Sequence, residues 1–333
     1  GEPQTVLEMA ADLYALRKWP NAGLGLLKAT SLAQGAEATP ISYYYAAAFA
    51  ERMGQNEQAR DLLRRAADLS PDYVFPHRIE TIGVLQQAAK LRPADWHIPY
   101  YLGNLYMRLG REDDAVAQWR RAIELGGEYS VLHRNLGVAE WKLDGDRDEA
   151  IEQYEKALAL RPDDQTLYRD LAALYRDEDR WADVRDLLEK TLGFEQYRSD
   201  VIEQMVRAYH QLGEDEKAAA LLDSRTFNAW EGQRSLYQVY SEVHMALGKK
   251  ALERGDAGEA VAQFRRSLEY PENIGVGRPE TVSEAEQYFW LGKALDGAGR
   301  KEEAREAWKK AASEESGRGR EFAEKAKALL EGR

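Results

Sequence analysis

The chain has 333 residues, 46 Lys+Arg against 58 Asp+Glu, a formal charge of -12 and no cysteine. The missing cysteine excludes a disulfide framework, thiolate metal sites and cysteine nucleophiles, and the acidic balance argues against nucleic acid or anionic membranes as partners, which need clustered Lys/Arg. No apolar run approaches the ~20 residues of a membrane-spanning helix and no signal peptide is visible, so a cytoplasmic location is expected. A start at Gly1-Glu2-Pro3 rather than Met suggests a piece of a longer protein.

Along the chain the apolar residues restart near positions 3, 40, 96, 130, 165, 199, 241 and 285, a period of about 34 residues. Counted from each start, position 8 reads Ala10, Ala47, Gly103, Gly137, Ala172, Val206, Gly248 and Gly292. Position 20 reads Ala22, Ala59, Ala115, Ala150, Val184, Ala218, Ala260 and Ala304, with one inserted residue allowed at Asp144–Asp146. Position 24 is large: Leu26, Leu63, Trp119, Tyr154, Leu188, Leu222, Phe264 and Trp308. Small residues at 8 and 20 let two helices approach closely, and the large one at 24 is expected to fill the space between neighbouring repeats. Gly54, Gly110, Gly213, Gly255 and Gly299 follow first helices, where a left-handed residue is favoured. No stretch shows sustained period-2 alternation, so no sheet is expected.

The departures from this period are a predicted extra amphipathic helix over 76–90 (Ile79, Ile82, Val84, Leu85, Ala88), a lengthened connection Ser224–Tyr240, a loop over 270–283, and a capping helix over 318–331. A single solenoid over 1–333 is expected, any division falling near 71–95.

The unit Trp96–Tyr129, with Leu102-Gly103, Tyr106, Gly110, Ala115, Trp119 and Ala122, carries the tetratricopeptide pattern. The resemblance implies an all-α, right-handed α/α superhelix of about eight helix pairs, with one extra helix and a C-terminal cap. "DYVFPHR" (72–78), "PADWHIPYYLGNLYMRLGREDDAVAQW" (93–119), "HRNLGVAEW" (133–141), "FNAWEGQR" (227–234) and "YPENIGVGRP" (270–279) resemble the tetratricopeptide region of large bacterial proteins. Those proteins carry an upstream domain of unknown function, related to galactose-mutarotase-like β-sandwiches. The resemblance implies that this chain is the C-terminal solenoid of such a protein, and it supplies no reaction.

Candidate chemistry is sparse. The five histidines show no i, i+3 or i, i+4 pair, and no phosphate loop or nucleophile elbow occurs, so no metal, cofactor or catalytic residue is expected. In the irregular segments, Trp230, Glu231, Tyr270, Glu272 and Asn273 combine aromatic rings with carboxylates, the composition of a sugar site. The plainer and favoured reading is that the rings plug the solenoid while the acids cap helices or meet arginines. The first helices are expected to line a concave groove through positions 2, 5, 9, 12 and 13. These include Tyr100, Asn104 and Arg108, then Arg134 and Trp141, then Arg169 and Arg176, then Arg207 and His210. Such a basic, aromatic surface suits an acidic or polar peptide, or equally salt bridging with the chain's own acids. The carboxylate clamp of tetratricopeptide co-chaperones is disfavoured, because Tyr100, Asn104, Asn135, Thr166 and Asp170 match its two asparagines but none of its three cations. The expected function is a non-catalytic scaffold binding a peptide, a partner protein or its own upstream domain. The alternative is an accessory part of a carbohydrate-active enzyme, and oligomeric state stays open.

Overall fold

The computed structural model describes residues 3–17, 19–29, 39–228, 235–277, 282–314 and 317–332, and every regular element among them is helical. Contacts gather the chain into two compact units, Gly1–Pro162 and Asp163–Arg333.

The first unit holds α1 (Pro3–Ala15), α2 (Pro20–Ala29), α3 (Pro40–Arg52), α4 (Asn56–Ala67), α5 (Glu80–Leu91), α6 (His97–Arg108), α7 (Glu112–Glu124), α8 (Ser130–Ala139) and α9 (Arg147–Leu160). Helices pack as pairs, α1 on α2, α3 on α4, α6 on α7 and α8 on α9. Local chemistry sets the starts: Pro40 sits in the first turn of α3, and the Thr39 side chain accepts from the Ser42 amide. The region near 71–95, where any division was expected to fall, is spanned by α5, which packs against α1, α3 and α6. It begins at Glu80 rather than 76, because Pro76 lies in the preceding loop. Val84, Leu85 and Ala88 are buried as expected, whereas Ile79 precedes the helix and is exposed.

The second unit holds α10 (Gln165–Asp177), α11 (Trp181–Leu188), α12 (Ser199–Gln211), α13 (Asp215–Ser224), α14 (Ser235–Glu253), α15 (Ala257–Arg266), α16 (Ala285–Gly297), α17 (Lys301–Ala312) and α18 (Arg320–Leu330). Four pairs follow in order, and α18 covers α16 and α17 as a cap. Residues 235–240, expected in a connection, instead extend α14 towards its N-terminus. A 3-10 turn, Glu272–Ile274, sits within the loop expected at 270–283.

Position 20 is fully buried at Ala59, Ala115, Ala150, Val184, Ala218, Ala260 and Ala304. The first pair is the exception. Ala22 is exposed while Gly23 and Leu27 are buried, so the register of α2 runs one residue later than the sequence reading placed it. Position 24 does more than fill the space between repeats, as Phe264 does in stacking on Trp290 of the next pair at 6.4 Å between ring centroids. A Cβ on Gly103 would stand 2.4 Å from the Trp119 ring, one on Gly248 2.5 Å from Phe264, and one on Gly292 2.3 Å from Trp308. The ring at 24 therefore lies on position 8 of its own pair. Glycine at 8 is the space into which it packs.

The residue inserted after α8 is absorbed by a π-helical turn, Glu140–Asp144, whose end is a left-handed Gly145. The Glu140 side chain is buried there and pairs with Arg120 at 2.7 Å.

Candidate functional site: an inner-face cleft in the second unit

In the first unit, the residues expected to line a groove are largely engaged by the fold. Tyr100 is buried among Trp96, Tyr101 and Tyr129. The Asn104 side-chain oxygen accepts from Trp119 Nε1 at 3.0 Å and from Asn135 at 3.2 Å. Arg134 is half-buried, and Trp141 lies in the π-helical turn beneath Lys142. Arg108 alone of this set is exposed. Helix α5 adds to the occupancy: Gln87 accepts from Tyr14 Oη at 3.1 Å and donates to Glu51, both at register position 12 of the first helices.

In the second unit the expected basic ladder is paired with acids. Arg169 binds Asp170 at 2.5 Å and lies 3.6 Å from Asp200, whose carboxyl is held below its ordinary range. Burial acts to raise that carboxyl, and the hydrogen bond from Arg198 and the charges of Arg198 and Arg169 outweigh it. Arg176 binds Asp177 at 2.9 Å, and Arg207 binds Glu203 at 3.0 Å and the Ser235 carbonyl at 2.6 Å. His210 Nδ1 donates to Asp215 at 2.6 Å, and Lys250 reaches the other Asp215 oxygen at 2.8 Å.

The loop residues serve as anchors. Tyr270 stacks on Tyr237 with ring centroids 4.3 Å apart and donates to Glu284 at 2.9 Å; burial, then the bond to Tyr237, pushes its phenol well up. Asn273 donates at 2.8 Å to the carbonyls of both Leu222 and Arg225, and its own carbonyl accepts from the Phe227 amide. Glu272 is exposed, and Trp230 and Glu231 lie outside the described residues.

The second unit holds, among its described residues, a cleft of about 600 Å³, a size suited to part of a bound ligand. Three first helices make its walls: α12 gives His210, α14 gives Tyr237, Gln238, Ser241, Glu242, Met245, Ala246 and Lys249, and α16 gives Glu286 and Gln287. Val282, Ser283 and Gly319 close its rim. Glu242, Met245 and Lys249 of this floor occupy positions 2, 5 and 9 of the seventh pair. The sequence reading stopped at His210 and missed them, although the same spacing would have found them. Tyr237 and Gln238 were missed for another reason, being on the unforeseen N-terminal turns of α14. Inside the cleft Lys249 pairs with Glu286 at 2.8 Å and lies 5.2 Å from the Trp290 ring centroid.

Paired helices, glycines under rings and first helices lining a cleft form one repeating plan, and family comparison names it. One model of the tetratricopeptide repeat matches residues 82–130, 100–165 and 245–319, and another matches 42–73. The chain carries tetratricopeptide repeats. Solved structures similar to this chain include the following three. One is a chain of the Naa15/Naa10 complex bound to HypK-THB, 19% identical, with a TM-score of 0.51 over 86% of this chain and 38% of that one. Another is YrrB, a tetratricopeptide protein described as having an unusual peptide-binding site, 19% identical over 63% of this chain and 98% of its own, TM-score 0.43. A third is the C-terminal part of a repeat-containing protein from Cytophaga hutchinsonii, 13% identical over 87% and 98%, TM-score 0.41. Among the described residues no helix of these repeats is long and apolar enough to cross a membrane.

Proposed function

We propose that this chain is a non-catalytic interaction module whose second unit holds a polar peptide segment, in a partner protein or in sequence upstream of residue 1. The observation that carries this reading is the cleft between α12, α14 and α16, with Met245 and Ala246 on its floor and amide, hydroxyl and charged groups around them. Apolar contact supplies area and the few polar groups fix register, the division of labour found in ligand sites generally. An acidic ligand loses its main support, because Arg169, Arg176 and Arg207 already hold carboxylates of the chain. For the carbohydrate reading, Tyr270 and Asn273 are engaged by the fold, Glu272 is exposed, and Trp230 and Glu231 lie outside the described residues.

The test is selection of binders from a displayed random-peptide library on the folded chain, then solution affinity for wild type and Ala246→Trp. Ala246 is half-exposed on the cleft floor, so an indole there fills the cavity without entering the core. Affinity is expected to fall about tenfold or more, equivalent to ~1.4 kcal/mol, with the thermal midpoint unchanged. Equal affinity for the two proteins, or a selection that returns no binder, defeats the proposal.

A further inference from the structure

We infer that the cleft reads a basic side chain, Lys or Arg, on a peptide segment of a partner protein, and that Glu242 is the group that reads it; this rests on the cleft being a peptide site.

The argument comes from two successive first-helix seams. Between α14 and α16, the cation at position 9, Lys249, bonds the carboxylate at position 2 of the next first helix, Glu286. Between α12 and α14 the same register places Arg207 at position 9 and Glu242 at position 2. That pair does not form. The N-terminal extension of α14 brings the Ser235 carbonyl to the Arg207 guanidinium, which bonds it at 2.6 Å while holding Glu203 at 3.0 Å. Glu242 is left accepting from Gln238 at 2.8 Å, with no cation paired to it among the described residues. A carboxylate on the cleft wall, with its counter-ion drawn off by the fold, is complementary to an incoming ammonium or guanidinium. The surrounding charge agrees: the neighbouring cation Lys249 is neutralised by Glu286, and His210 and Lys250 both face Asp215. Beside Glu242, Met245 and Ala246 offer apolar surface to the methylene stem that such a side chain carries.

The experiment uses the full 333-residue chain and two fluorescein-labelled pools of short peptides. The pools share flanking positions randomised over Ala, Leu, Ser and Gln, and differ only in a central Lys or Glu. Fluorescence anisotropy is read for wild type, Glu242→Gln, Glu242→Lys and the cleft-blocked Ala246→Trp. Wild type is expected to prefer the Lys pool, with about a three- to tenfold loss of that preference in Glu242→Gln, as for a half-exposed ion pair. Glu242→Lys is expected to turn the preference to the Glu pool. Indifference to charge, preference for the Glu pool, or an unchanged preference in Glu242→Gln overturns the inference. If the pools then still bind and Ala246→Trp abolishes binding, the cleft remains a peptide site and only its charge reading falls. If neither pool binds, or Ala246→Trp leaves binding intact, the cleft reading itself falls and takes this inference with it.

Discussion

Gly103, Gly137, Gly248 and Gly292 each lie beneath an aromatic ring from the second helix of their own pair: Trp119, Tyr154, Phe264 and Trp308. Where that second helix supplies leucine instead, as at Leu63, Leu188 and Leu222, the residue at the position equivalent to the glycine is Ala47, Ala172 or Val206. Volume is traded across the contact, one helix giving up a methyl group where the other adds a ring. Both columns were plain in the sequence, and only their partnership was not, because periodicity shows which residues are buried and not what they touch. Gly103→Ala should cost about 1–3 kcal/mol by overpacking. In a Trp119→Leu background the same change should cost clearly less, since Ala at position 8 with Leu at position 24 is a combination the chain already uses. Urea unfolding of the four proteins of this cycle checks it; additive effects would mean the ring and the glycine do not compete for space.

At the scale of the helix and its turn, the first helices of five pairs end on left-handed glycines, Gly54, Gly110, Gly213, Gly255 and Gly299. The turn between α10 and α11 places Asp179 in the same conformation, φ 56°, exposed and carrying a Cβ. A non-glycine residue there is strained, though aspartate less than most. Asp179→Gly should therefore raise stability by about 0.5–1 kcal/mol, read as a higher thermal midpoint; a lower midpoint would show the carboxylate contributing more than its backbone costs. Other element-scale differences have physical sources too. The α2 register was ambiguous because Leu26 and Leu27 are both apolar, so either frame gives an acceptable helix face. The α14 extension was visible in Leu236, Tyr237, Val239 and Tyr240, but a fixed period makes extra turns look like a connection. Ion pairing of Arg169 with Asp170 and of Arg176 with Asp177 depends on rotamers, which spacing does not specify, whereas the i, i+4 pair Glu203–Arg207 was open to reading.

At the scale of the whole molecule, each unit is a stack in which a helix pair packs chiefly on its neighbours, so stability resides in the seams. In the second unit one carboxylate bridges a seam: Asp215 of α13 takes hydrogen bonds from His210 of α12 and Lys250 of α14. Burial alone would raise its pKa, but these two donors outweigh that and hold it below the ordinary 3.8. A carboxyl depressed on folding adds stability above its unfolded value and loses it as pH falls towards its folded value. Lys250→Met should thus weaken the chain at neutral pH. The gap from wild type should be full above about pH 5 and close as pH drops through the range in which Asp215 protonates. Urea midpoints taken down that pH series test this, and a gap that stays constant would remove Asp215 as its source.

The widened turn at Glu140–Asp144 acts as an expansion joint. Its extra residue bulges where it arises, with the Glu140 carbonyl gathering both the Gly145 and Asp146 amides, and Asp146 then caps α9 as though nothing had been added. Ala150 and Tyr154 consequently reach Gly137 in the phase that Ala115 and Trp119 keep with Gly103. A chain built in this way can gain length inside a repeat without passing the offset downstream, so its repeats need share only a geometry, and not a fixed residue count.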